Sequence, residues 1–426
     1  MNLSFHSLPF FFILISTIFL LIHIIFVNSK THPDDIQVLK QLKNGIDPNS
    51  ISSGSCLSSW DFSLDPCDRI FTDRFTCGFR CDLIVSGSYR VTEITLDQAG
   101  YSGSLSHISF NLPYLDTLDL SYNSLSGSIP VSLTNLTLLH RLSLSKNSFS
   151  GSIPPSLGLL SRLQELYLDN NLLTGSIPPS FNRLVSLKRL ELQQNNLSGE
   201  LPNLSQLRNL YYLDLSDNII SGQVLEKIMP LSIIELSFRN NSLRDEFNVN
   251  VAELRFLQVL DLSYNKLNGM IPSFLFDHPS LQQLTISNNK FRFLQAPTNM
   301  GLTSGLVAID LSYNELHGLL PAFMAWMPKL SALSLEHNKF TGMIPPEYAR
   351  KTVVPGRGTA PFRRLLLGGN YLFGPIPGQL MALKPGSVTV SLVDNCLNRC
   401  PDSFFFCQGA DQKSLVDCKN FGPAIP

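Results

Sequence analysis

An asparagine that returns at a nearly fixed interval constrains this chain more than any other feature. It stands at positions 123, 147, 171, 195, 218, 241, 265, 289, 314, 338, 370 and 395, so the intervals are 23 to 25 residues, apart from one of 32. The residues before it repeat as well: Leu115-x-x-Leu118-x-Leu120-x-x-Asn123 recurs at Leu139 to Asn147, Leu163 to Asn171, Leu187 to Asn195 and Leu210 to Asn218, then onward. An earlier unit carries Val91, Ile94 and Leu96 with Ala99 in the asparagine slot, which brings the count to thirteen. A length of 426 residues would suggest two or three ordinary domains, but internal repetition at such a period overrides length.

Successive side chains on a strand face opposite sides, so each Leu-x-Leu is a short strand with leucines inward and the intervening residues outward. A single unit cannot bury its apolar face alone. Its neighbours supply the missing wall, and the core runs continuously along the stack. The expected fold is an α/β repeat solenoid: a curved stack of about thirteen units with one parallel sheet on the concave face. The buried asparagine amide turns the chain out of the strand and bonds the backbone of adjacent turns. Between strands lie segments such as Leu125-Ser126-Gly127-Ser128-Ile129-Pro130, repeated at Phe149 to Pro154, Leu173 to Pro178 and Leu267 to Pro272. Glycine permits a tight turn, and proline bars an ordinary interior strand or helix, so these segments read as turns.

The first 29 residues contain no Lys, Arg, Asp or Glu, and Phe10 to Val27 is nearly all apolar. That composition reads as a signal peptide over 1–29, cleaved after Ser29, rather than as a retained anchor. No later stretch resembles a membrane span, and a secreted chain is expected. Eight cysteines fall into two clusters, Cys56, Cys67, Cys77 and Cys81, then Cys396, Cys400, Cys407 and Cys418. Neither cluster contains a histidine, and an exported chain meets an oxidising compartment, so disulfides within each cluster are expected rather than zinc. Each group of four permits three pairings. The expected organisation is a cysteine-containing cap at 30–90, repeats at 91–395 and a second cysteine-containing cap at 396–426.

Over Val91 to Leu397 the added L-x-G-x-I-P element resembles the plant-specific class of leucine-rich repeat. Asp35, Leu39, Leu42, Ser59-Trp60, Asp65-Pro66-Cys67 and Gly78-Phe79-Arg80-Cys81-Asp82 are similar to the N-terminal cap of plant leucine-rich-repeat receptors. The resemblance implies a Cys67–Cys81 bridge, which leaves Cys56 with Cys77. It also implies an extracellular receptor-like protein. No kinase Gly-rich loop, H-R-D or D-F-G element occurs, nor a C-terminal span, so signalling across a membrane would need a separate receptor kinase.

A net charge of −1 and 15% charged residues give no polybasic footprint, so nucleic acid is not an expected partner. G-x-S-x-G, H-E-x-x-H and P-loop patterns are absent, and no enzyme activity, metal or small-molecule cofactor is expected. Asp119, Asp214, Asp261 and Asp310 occupy equivalent slots, but they belong to the default Leu-Asp-Leu-Ser strand and are read as structural. Sequons at Asn135, Asn196, Asn203 and Asn240 are candidate glycosylation sites. A sugar on Asn240 would obstruct part of the inner face.

Binding is expected where outward strand residues leave the repeat default. Arg141, Glu165, Tyr167, Arg189, Glu191 and Tyr212 interleave aromatic rings with both signs of charge, the composition of a recognition surface. The 32-residue interval carries Arg350, Lys351, Arg357, Arg363 and Arg364 and reads as a basic, mobile bulge over 339–369. Two functions fit. One is recognition of an extracellular peptide or protein in partnership with a membrane kinase. The other is inhibition of a secreted cell-wall-degrading enzyme such as a polygalacturonase, because pectinase-inhibiting proteins share this repeat.

Overall fold

The computed structural model describes residues 30–222, 229–246 and 253–419. The expected signal peptide over 1–29 lies outside the described residues. The first element is the helix Pro33–Gly45, whose start is set by Pro33 and by His32, which accepts a bond from the Asp34 N–H. Val38, Leu39 and Leu42 recur at helical spacing and are buried against the first repeats. Two disulfides, Cys56–Cys77 and Cys67–Cys81, tie the following loops together. Trp60 packs edge-on against Phe79 at 5.2 Å and donates its indole N–H to the Cys77 carbonyl at 2.8 Å.

The strand Phe79–Arg80 then pairs antiparallel with Glu93–Thr95 and opens a 14-stranded sheet. Its other thirteen strands are parallel and follow chain order, one for each unit read from the sequence, from Glu93–Thr95 to Thr389–Ser391. The central residue of each strand, a leucine in most, such as Leu142, Leu166 and Leu190, is buried. Each ladder asparagine stitches two turns together. Asn171 donates to the carbonyls of Leu144 at 3.0 Å, Leu168 at 3.2 Å and Asp169 at 3.1 Å, and accepts from the Phe149 N–H at 2.9 Å. The residue before it takes the left-handed conformation, with φ near 50° to 58° at Tyr122, Lys146, Asn170, Gln194 and their non-glycine counterparts, and this step swings the chain out of the strand.

The Gly-Pro segments are not mere turns. Ser124–Ser128, Ser148–Ser152, Leu172–Gly175 and their successors form a second parallel sheet of nine strands, followed after a break by one of four. This corrects the expectation that proline excludes a strand there. The strand ends before Pro130 or Pro154, and proline serves instead to start a short 3-10 helix such as Pro155–Leu159, where its missing N–H is no loss.

A second correction concerns the 32-residue interval. Part of its extra length goes into the helix Pro346–Val353, with Tyr348 and Lys351 buried, and only 354–361, with the exposed Arg357, is left as an irregular loop. Lys351 donates to the Met327 carbonyl at 2.7 Å, and burial pushes its amine down to about 8. Arg364 opens the inner-sheet strand Arg364–Leu366, so only part of the basic run lies on the convex side. At the far end Cys396–Leu397 pairs with Tyr371–Gly374 in the second sheet. Cys396–Cys418 and Cys400–Cys407 then close loops that place Phe406 over the end of the core, its carbonyl accepting from the Leu392 N–H at 2.9 Å. Such a cover is what an open-ended stack requires. No helix among the described residues is long and apolar enough to cross a membrane.

Candidate functional site

Five adjacent inner strands, Arg141–Ser143, Glu165–Tyr167, Arg189–Glu191, Tyr212–Asp214 and Glu235–Ser237, run in register. Their first residues align as Arg141, Glu165, Arg189, Tyr212 and Glu235, and their third as Ser143, Tyr167, Glu191, Asp214 and Ser237. Because the intervening leucine of each strand is committed to the core, these two columns must face outward. The sequence-derived candidates therefore share one surface.

They form two knots. Arg141 donates to Glu165 at 2.5 Å, reaches Asp119 at 3.5 Å and lies 4.5 Å above the Tyr167 ring, while the Tyr167 hydroxyl donates to Glu165 at 3.1 Å. Arg189 donates to Glu191 at 2.5 Å and sits 3.6 Å above the Tyr212 ring, and Gln193 donates to the other Glu191 oxygen at 2.9 Å. Each guanidinium is thus held between a carboxylate and an aromatic face, which fixes the rotamers of all three groups before any ligand arrives. Burial, then the charges of Asp214 and Glu191, push the Tyr212 phenol up to about 12, so it stays a donor throughout the physiological range. Burial likewise raises the Asp214 carboxyl, although two bonds from Ser216 work the other way.

The aspartates of the Leu-Asp-Leu-Ser strands have a structural task. Asp119, Asp214, Asp261 and Asp310 each accept from the N–H and hydroxyl of the serine two residues on, between 2.6 and 3.0 Å. This Asp-x-Ser clamp secures the exit from the strand. Among the described residues no group of His, Cys, Asp and Glu could hold a metal ion.

Two features escaped the sequence reading. The left-handed step before each asparagine exposes a rim of aromatic residues: Tyr122 under Lys146 at 4.2 Å, Tyr264 under Arg239 at 5.1 Å, and Tyr313 stacked on His337 at 4.3 Å. The Tyr-Asn pair in those units was the available signal. The later strands also carry a shallow depression of about 230 Å³, floored by Ala308 and Ala332 between Gln283 and Arg364. Here small side chains, not bulky departures, shape the surface. The sequons sit apart from the knots. Asn135, Asn196 and Asn203 are exposed on or beyond the second sheet, whereas Asn240 is at the inner rim with its amide on Asp217 at 2.7 Å.

Thirteen parallel strands, an asparagine ladder and a cystine-bridged cap define a class, and the family comparison agrees. The leucine-rich repeat region family matches residues 95–365, and the leucine rich repeat N-terminal domain matches residues 32–72. The chain belongs to the leucine-rich-repeat family. Among curated proteins it is similar to Receptor like protein 28 of Arabidopsis thaliana, 32% identical over 109 residues, which are 25% of this chain and 14% of that protein. Receptor like protein 23 of the same plant is 33% identical over 110 residues, 25% of this chain and 12% of that protein. The matched stretch is thus a small part of either relative. Among solved structures, the plant peptide hormone receptor RGFR1 in complex with RGF2 superposes with a TM-score of 0.60 at 30% identity, covering 74% of this chain and 48% of that one.

Proposed function

We propose that the chain is the secreted recognition component of an extracellular signalling or defence system, binding a peptide or protein on its concave face and acting with a separate membrane receptor kinase. The observation that carries this reading is the preorganised pair of arginine–tyrosine–glutamate knots on adjacent strands, since rigid aromatic and arginine anchors supply most binding energy at protein interfaces. Its likeness to a hormone-bound plant receptor supports a peptide ligand in particular.

The test uses Tyr167→Ala with Arg189→Ala, which removes one member of each knot. Both side chains are only partly buried and lie outside the leucine core, so the fold survives. With a partner recovered from plant extracellular fluid, the double substitution is expected to weaken binding by about 2 kcal/mol or more. Affinity kept within a factor of two, and lost instead on changing Arg363 and Arg364, would move the site to the later units. Capture of a polygalacturonase with loss of its activity would replace the receptor reading with that of an enzyme inhibitor.

Export has its own test. N-terminal sequencing of the purified protein should begin near Lys30, and glycopeptide mapping should find sugars on some of Asn135, Asn196, Asn203 and Asn240. An intact Met1 in a membrane fraction would overturn secretion.

A further inference from the structure

The second sheet changes character along its length. In the first units the side chain after each glycine is Ser104, Ser128, Ser152 or Ser176, and each lies over the glycine of the next unit. In later units the same position is held by Met270, Phe293, Leu319 and Met343, exposed to 49%, 51%, 74% and 62%. Leu319 and Met343 still lie flat over a glycine: a Cβ on Gly342 would come within 2.5 Å of Leu319 and one on Gly374 within 3.0 Å of Met343. Four consecutive units therefore present an apolar stripe where the first units present serine and two of the intervening ones glutamate, at Glu200 and Glu246.

The sheet also breaks within this stripe, for a reason legible in the chain. Arg292 stands where the repeat has glycine, and the pairing of Lys266–Ile271 with Lys290–Leu294 skips it in a bulge: Gly269 faces Phe291 and Met270 faces Phe293. Bulges bend a strand and end its pairing. Beyond the Glu315 N–H bond to the Phe291 carbonyl, Lys290–Leu294 and His317–Leu319 do not pair, and the gap is a recess of about 320 Å³. Phe293, Met300, Leu319, Phe323 and Phe340 line it. Around the stripe stand Lys266, Lys290, Arg292 and Lys339. Glu315 answers two of them, at 3.3 Å from Arg292 and 3.8 Å from Lys339, and Glu246 lies at the near end over Gly269.

We propose that this lateral stripe is a second protein-docking surface, distinct from the concave face, which takes one large apolar side chain flanked by carboxylates into the recess between Phe293 and Leu319. An open recess of this size, set between two strands, suits a single side chain rather than a planar bilayer. Self-association would bring two cationic rims together, and like charges across an interface are unfavourable. Acidic flanks on the partner complete both the apolar and the electrostatic match. Four strands at about 4.8 Å spacing, with the gap widening the middle step, give a stripe on the order of 15–20 Å long, too short for the roughly 800 Å² per partner of a standard interface. The contact is an accessory or transient one.

The probe is a displayed library of random dodecapeptides selected on the intact chain, with parallel selections on Leu319→Glu and on the charge-reversed Lys290→Glu/Arg292→Glu. All these side chains are solvent-facing, and unchanged thermal melting confirms that the variants fold. Enriched peptides are expected to carry Phe, Trp or Leu between Asp or Glu residues and to bind Leu319→Glu at least tenfold more weakly. The charge-reversed chain should select Lys or Arg flanks instead. An empty selection, basic flanks on the unaltered chain, or peptides indifferent to both variants overturns the proposal. So does dimerisation, or flotation with phosphatidylserine vesicles, that Leu319→Glu abolishes.

Discussion

Asp35→Ala is expected to destabilise the N-terminal cap by about 3–5 kcal/mol, the usual result of removing one partner from a buried ion pair. The Asp35 carboxylate is 1% exposed and accepts from Arg90 at 3.0 and 2.7 Å and from the Val91 N–H at 2.8 Å. It joins the first helix, across 55 residues of chain, to Arg90 at the end of the strand Ser88–Arg90, just ahead of the first repeat strand. Its loss strands a guanidinium that is left packed on the Tyr114 ring, 4.6 Å away. The chain has two tryptophans, Trp60 in the cap and the exposed Trp326. In a Trp326→Phe background, fluorescence in urea therefore reports the cap alone. The cap transition should move to lower urea and separate from that of the repeats. Asp35→Leu combined with Arg90→Met should recover most of the loss, because no buried charge is then left unpaired. A double variant as unstable as Asp35→Ala would show that packing, not the ion pair, holds the cap.

The other large effect is expected at the ladder. Asn289 donates to the carbonyls of Leu262, Ile286 and Ser287 at 3.0 to 3.1 Å and accepts from the Leu267 N–H at 3.0 Å. Asn289→Ala leaves the buried Leu267 N–H without its acceptor, while each of the three carbonyls keeps one donor: Leu262 from Asn265, Ile286 from Asn314 and Ser287 from the Tyr264 N–H. At about 1–3 kcal/mol for a buried group left unsatisfied, a local loss of about 1–3 kcal/mol follows. Asn289→Asp keeps the acceptor for Leu267 but sets a carboxylate against three carbonyls, and should be worse. Because each repeat touches only its neighbours, hydrogen exchange should rise in residues 262–314 and stay unchanged around Leu142 and Leu166. Uniform loss of protection along the stack would show that the solenoid unfolds as one unit.

The period, strand count, buried leucines and asparagine slots were legible because each unit repeats the same local solution. A leucine that faces inward at Leu142 does so again at Leu166 for the same reason, and the spacing records it. The confinement of disulfides to two caps was equally readable, since a thirteen-unit stack keeps its ends apart. The six candidate residues were correctly placed on one face by alternation alone.

Which of those residues touch was settled only by tertiary structure. Arg141 meets Glu165 and Tyr167 on the next strand, whereas Arg189 takes Glu191 from its own strand and Tyr212 from the next. Equivalent positions in the repeat thus choose different partners, because rotamers answer to the neighbours actually present. The second sheet was missed because its strands are short, rich in Ser and Gly, and gain their pairing from stacked copies rather than from their own propensity. Part of the insertion between Asn338 and Asn370 became a packed helix because Tyr348 could reach the core, a fact about the space beside Phe362 that no count of residues contains. Sequence determined the register of this protein through a pattern local to each unit. The surface chemistry was decided where one unit lies against the next.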